Sequence, residues 1–231
     1  MRIDPHRDEF AKYLMEAKGR ADLLAQSLPL KIAAASLTLE SKIPFKALSL
    51  REILIHRTSA LAAAAVEMYD QRRLVPAAVL TRAVVETVAA TFNLHKHLVE
   101  FRSTKDVERI NDFICRGLVG ERHSEASVQA TNVLTLIDHV ERTIPGFHKS
   151  YDALSEFSHP NWSGGLGAFG HIDHKTYELH LGPSERTTGL VSGIISFSTS
   201  LMLFEHYYNG MVGPLQELND YFERNSAPKE T

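Results

Sequence analysis

The chain has 231 residues and a mass of 25.8 kDa, enough for one large domain or two small ones with a proper core. Its 25 Lys and Arg against 28 Asp and Glu leave a formal charge of −3, which excludes the broad basic surface of a DNA-packaging protein and the polybasic segment of a membrane anchor. A 44% hydrophobic share with 23% charged residues describes a globular chain, and one cysteine, Cys115, excludes an internal disulfide and any multi-cysteine metal cluster.

The first residues, MRIDPHRDEFAKY, are charged and contain no apolar segment, so no secretory signal is expected and the cytoplasm is the expected location. Residues 8–27 space Phe10, Leu14, Ala17, Ala21 and Leu24 helically, and Pro29 closes that run. A second helix is predicted from Leu48 to Arg73 through the Ala-rich block 61–66, and a third from Pro76, tolerated in a first turn, to about Arg102. Thr104 is the expected N-cap of a helix to about Leu118. Ser127 to Arg142 reads as another helix, ended by Ile144-Pro145-Gly146. A short helix from Phe147 to Ser158 then stops at His159-Pro160.

From Trp162 the period changes from helical to two. Leu166, Ala168, Gly170 and Ile172 alternate with Phe169 and His171, and Tyr177, Leu179 and Leu181 alternate again after Asp173-His174-Lys175-Thr176. A β-hairpin over about 166–182 is the reading. Ser184 to Arg224 returns to helical content, with interruptions expected at Gly210 and Gly213-Pro214. Its stretch Thr187 to Phe204 carries little charge, yet seven Ser or Thr and two Gly among eighteen residues suit a buried helix better than a membrane span. The expected fold is mainly α: one helical-bundle domain over 1–231, its helices nearly antiparallel, with a single hairpin before a long C-terminal helix and a short tail over about 225–231. A homodimer is expected, because that apolar C-terminal helix is longer than one bundle of this size needs.

Two stretches carry candidate chemistry. On the third helix Arg82, Glu86, Asn93, His97 and Glu100 fall within about 60° of arc at 100° per residue, opposite Leu80, Val84, Val88, Leu94 and Leu98. That polar line is either a solvated face or the wall of a cleft in which Glu86 orients Arg82 toward an anion. The second stretch is Tyr151 to Trp162. His159 precedes a proline, so its ring is presented at a helix end, where imidazole serves as an acid or base near neutral pH or satisfies end-of-helix carbonyls. Ser155 lies one turn before it. No G-x-S-x-G elbow accompanies that pair, which argues against a serine hydrolase.

Together with Arg82-Ala83-Val84-Val85-Glu86, the block Leu154-Ser155-Glu156-Phe157-Ser158-His159-Pro160-Asn161 resembles helical bacterial and phage-associated proteins of the HEPN superfamily, over roughly residues 50–160. That resemblance implies a helical bundle, often dimeric, whose active members are ribonucleases in phage defence, toxin–antitoxin pairs or RNA processing, built on an arginine and a histidine in a late helix. His159 matches that histidine. No arginine lies between Tyr151 and His159, and Arg142 with His148 is split by Pro145-Gly146. Two functions are therefore carried forward: a non-catalytic binding or regulatory module, and an RNA-cleaving or nucleotide-processing enzyme in which Arg82, Glu86, Ser155 and His159 form the site. RNA or a nucleotide is the expected ligand in either case, without a cofactor and without a membrane.

Twelve histidines also raise a metal reading. His95 and His97 point about 200° apart on one helix and cannot grip one ion. No H-E-x-x-H occurs. His171, His174 and His180 sit on or near the hairpin, with His171 expected opposite Glu178 or His180, and a solvated hairpin is the commoner arrangement for such residues than a metal site. Trp162 and Phe169 read either as a base-stacking platform or as the groups that pack the hairpin on the bundle.

Overall fold

The computed structural model describes residues 5–123, 127–183 and 187–225. The helices run in the order α1 (Pro5–Gln26), α2 (Ile43–Asp70), α3 (Leu74–Thr104), α4 (Val107–Val119), α5 (Val133–Glu141), α6 (Phe147–Ser158) and a single helical turn α7 (Leu166–Phe169). Strands β1 (Gly170–Asp173) and β2 (Glu178–Leu181) follow, then α8 (Thr187–Gly210) and α9 (Val212–Asn225). The fold class is the expected one, a helical bundle with one antiparallel hairpin ahead of the C-terminal helices, but α8 runs parallel to α3 rather than antiparallel, Gly189 lying beside Leu74 and Gly210 beside His95.

Helix α3 is the axis. It begins with Pro76 in its first turn, where no amide hydrogen is needed, and ends at Lys105, whose left-handed backbone (φ 52°) returns its N–H to the Phe101 carbonyl. Helices α2, α4, α5, α6, α8 and α9 all pack on it. Its apolar side enters a core extending from Phe10 to Leu218. There Tyr69 is wholly buried, stacks on Phe197 at 5.7 Å and shares a 2.8 Å hydroxyl hydrogen bond with Thr81. Burial without a charged partner pushes the Tyr69 phenol far above its usual range.

Several boundaries differ from the expected ones, each for a local reason. Helix α2 begins at Ile43, because Pro44 fits its first turn as well as Pro76 fits that of α3. The N-cap of α4 is Asp106, whose carboxylate accepts from the Arg109 amide at 3.0 Å; Thr104 instead bonds back to the Glu100 carbonyl at 3.1 Å. Helix α5 begins at Val133 under an Asn132 cap (3.0 Å to the Leu134 amide), not at Ser127. Of the preceding residues, Val128 and Ala130 exchange backbone bonds with Glu121. Gly120 makes that approach possible, since a Cβ there would lie 2.8 Å from the Ala130 Cα.

The hairpin is shorter than expected. Leu166–Phe169 is helical, with the Gly167 amide on the Trp162 carbonyl (2.7 Å) and the Phe169 amide on the Gly165 carbonyl (3.0 Å); four residues are too few for alternation to distinguish a strand from a turn of helix. The strands pair Gly170 with Leu181, His171 with His180, Ile172 with Leu179 and Asp173 with Glu178. The Asp173 carboxylate accepts from the Lys175 amide at 2.7 Å, which closes the turn and holds that carboxyl below its usual pKa. The C-terminal run breaks at Met211, and Pro214 opens α9 rather than interrupting it. The expected start at Ser184 lies outside the described residues, as does the tail from residue 226 on.

Two stretches, Leu74–Thr104 and Thr188–Asn225, are long and apolar enough to cross a membrane. Here half or more of the most apolar 18 residues of each is buried inside the bundle. The C-terminal run continues along α3 in one direction, Gly210 lying beside His95 and Glu217 pairing with Arg102, and α9 also packs on α2.

Candidate functional site: a polar seam along α3

The polar line of α3 is a seam, not a solvated face. Glu100 pairs with Arg109 of α4 at 2.8 Å, and His97 stacks on Phe113 of the same helix at 4.3 Å. Asn93 meets α5. Arg82 and Glu86 meet α6. The line is therefore covered in turn by the three short helices that follow α3, which is why its residues are half-buried or, for Asn93, fully buried.

At the α6 end four side chains close a ring of hydrogen bonds. Arg82 Nε donates to Ser155 Oγ at 3.0 Å, and Nη2 donates to Tyr151 Oη at 2.5 Å and pairs with Glu86 Oε1 at 3.1 Å. The Tyr151 hydroxyl spends its one hydrogen on Glu86 at 3.2 Å, and Ser155 spends its own on the Tyr151 carbonyl at 2.9 Å. The guanidinium also sits 4.9 Å from the centre of the Tyr151 ring. Three of the four predicted residues thus converge, with the Arg82 side chain 33% and the Glu86 side chain 25% exposed. Tyr151 was not predicted to take part. Its i, i+4 spacing to Ser155 was the available signal, because both then face α3.

His159 lies one turn beyond Ser155 as the C-cap of α6, with the extended backbone (φ −95°, ψ 146°) that a following proline imposes. It is exposed, and among the described residues no hydrogen bond or ion pair reaches its ring. The loop after it is held by Asn161, whose side chain accepts from the Ser163 and Gly164 amides at 2.9 and 3.1 Å and donates to Glu156 at 2.7 Å.

A cavity of about 490 Å³ opens where α2 turns into α3, lined by Arg72, Arg73, Val75, Pro76, Ala168 and Phe169 among others. Among the described residues neither arginine forms an ion pair; Arg72 lies 5.0 Å from the Phe10 ring centre. Val75 and Arg82, seven residues apart, share a face of α3 about 10 Å from one another. Phe169 is 45% and Trp162 63% exposed, and Phe169 is open to the cavity.

The Arg142–His148 spacing is indeed broken: Gly146 is left-handed (φ 94°), and Glu141 accepts from the Gly146 and His148 amides at 2.9 and 2.8 Å, capping α6. Those two amides hold the Glu141 carboxyl below its usual range. His148 pairs with Asp138 at 2.9 Å. His95 and His97 diverge, His95 going to Tyr207 and His97 to Phe113. Although His171 faces His180 across the strands, no three His, Cys, Asp or Glu side chains gather to hold a metal among the described residues. Set against models of known families, curated proteins and solved structures, the chain matches none of them.

Proposed function

We propose that this chain is an HEPN-like bundle that works as a binding or regulatory module, taking RNA or a nucleotide at the α3–α6 end without cleaving it. The observation behind this reading is the ring of partners around Arg82: Glu86, Tyr151 and Ser155 hold the guanidinium, while among the described residues His159 has no partner to orient it as a base. A phosphate is well served by an arginine fixed in this way and still one third exposed. Cleavage additionally needs a positioned base. Arg72, Arg73 and Phe169 at the neighbouring cavity offer charge and a stacking surface to the same ligand. A homodimer belongs to the reading through the family resemblance.

The test is fluorescence anisotropy with a short labelled single-stranded RNA and ATP as competitor. Arg82→Ala is expected to weaken binding at least about tenfold, or ~1.4 kcal/mol, and His159→Ala to leave it within about twofold, with thermal melts showing both variants folded. Equal affinity for wild type and Arg82→Ala overturns the reading. Light scattering is expected to return twice the 25.8 kDa chain mass; a monomer removes the dimer.

One observation favours the enzyme as the second reading: Arg82 reaches across from α3 to Ser155, one turn before His159, so an arginine from another helix stands near that histidine. RNA cleavage by the wild type that His159→Ala abolishes would establish it, and equal rates would end it.

A further inference from the structure

We propose that strand β2 is a docking edge for a second copy of this chain: two β2 strands pair antiparallel about a two-fold axis at Leu179 and join two hairpins into one four-stranded sheet. The pairing rests on the homodimer proposed above and is independent of what Arg82 binds.

The hairpin of a single chain is incomplete. Among the described residues no third strand joins its two, and two strands alone are only marginally stable in water. Its two faces differ in kind. Gly170 opposite Leu181 and Ile172 opposite Leu179 share one face, where a Cβ on Gly170 would lie 2.6 Å from Leu166 Cδ1 and 3.2 Å from Leu179 Cδ1. On that face Ile172 is 45%, Leu179 50% and Leu181 80% exposed. The other face sets like beside like, Asp173 opposite Glu178 and His171 opposite His180, and like charges directly opposite are unfavourable.

The backbone decides which polar groups are left to use. The Gly182 amide bonds the Phe169 carbonyl at 2.9 Å, and bonded pairs alternate along an antiparallel ladder. His171 with His180 and Asp173 with Glu178 are therefore the bonded pairs, while Leu179 and Leu181 turn their N–H and C=O away from β1. A second β2 laid antiparallel, with Leu179 against its twin, takes up these groups: each Leu179 amide donates to the other Leu179 carbonyl. The same register sets Glu178 opposite the second copy's His180, at a non-bonded pair, where side chains approach most closely. Each row across the polar face then runs Asp173, Glu178, the second copy's His180 and the second copy's His171. Two acids meet two imidazoles, and an imidazole donates to a carboxylate in either charge state. The apolar face becomes continuous through the paired Leu179 side chains. Strand β1 also carries an imidazole and an acid around a central apolar residue, but its edge is the poorer one. The Asp173 carboxylate is taken by the Lys175 and Thr176 amides at 2.7 and 3.4 Å, whereas Glu178 has its own His180 at 3.8 Å.

Sedimentation velocity of the full chain at pH 7 over a concentration series tests the edge, with thermal melts to show that each variant folds. Glu178→Lys sets a lysine opposite His180, and His180→Glu sets two glutamates opposite one another. Each variant alone is expected to raise the dimer dissociation constant at least about fivefold. Mixed in equal amounts, the two are complementary at both crossings: the introduced lysine meets the introduced glutamate, and His180 of one copy meets Glu178 of the other. The mixed dimer is expected to return to within about twofold of wild type. Damage confined to one chain is not repaired by mixing, so recovery reports the contact between the two β2 strands. A dimer that neither variant weakens, or two weak variants that stay weak when mixed, overturns this edge and leaves the homodimer standing; a wild-type monomer throughout removes both.

Discussion

Tyr151 shows how much one hydroxyl can organise. It accepts from Arg82 and donates to Glu86 while its ring is almost fully buried against α3. Tyr151→Phe leaves the ring and removes the bridge, so chemical denaturation should show a loss of about 1–2 kcal/mol; no loss would mean that water replaces the hydroxyl. Arg82, Glu86 and Ser155 were legible in the sequence because i, i+4 spacing puts each pair on one helix face. The partner between them was not, because nothing local says which way α6 is turned.

Burial depresses the pKa of His95 and His97, and of His139 together with nearby cations. For such groups the unfolded chain binds more protons than the folded one, starting near pH 6.5, the ordinary imidazole value. Stability is therefore expected to be intact above that pH and to decline as pH falls through the lower folded values. Melting temperature measured from pH 7.5 down to 5 should fall, and His97→Gln should flatten the slope; an unchanged slope would show that His97 contributes little to it.

At the level of elements, caps decided what periodicity left open. Asp106 rather than Thr104 starts α4, because its carboxylate reaches the Arg109 amide while the Thr104 hydroxyl is taken by Glu100. Asp106→Ala should then cost about 1 kcal/mol, and Thr104→Ala markedly less, measured as paired urea midpoints. Equal costs would reverse the assignment. Helix interiors were readable throughout, since apolar spacing sets them. The start of α5 was not, because Val128 and Ala130 are drawn into backbone bonds with Glu121 from a distant turn. The hairpin turn was readable from Asp173 to Thr176, while the first residues assigned to the hairpin are a turn of helix.

For the whole molecule the governing feature is one long helix on which six others pack. Phe197 sits against Tyr69 in the middle of that packing, and Phe197→Ala is expected to cost about 3–5 kcal/mol through lost contacts and the cavity left behind. A cost below about 1 kcal/mol would mean the core closes over the gap. A second buried cluster ties α2 to α8: Arg51 pairs with Glu52 and donates to the Tyr208 carbonyl at 3.2 Å, and Tyr208 donates its hydroxyl to Glu52 at 2.5 Å. Burial, and after it the Glu52 hydrogen bond, raises the Tyr208 phenol well above its usual range. That cluster lies just before the break at Met211, after which α9 continues along α3.

By itself the sequence determined the helical class, the place of the hairpin, most helix interiors and the polar line on α3, because these depend on side-chain spacing along a regular backbone. It also ruled out a disulfide framework, since there is only one cysteine. Only the tertiary structure decided that the polar line is covered rather than solvated, that Tyr151 joins Arg82 and Glu86, that His159 stands outside their hydrogen bonds, and that His139 is hydrogen-bonded to the buried Asn93. Each of these depends on which helix faces which, and that is settled by packing across the core, between residues tens of positions apart in the chain.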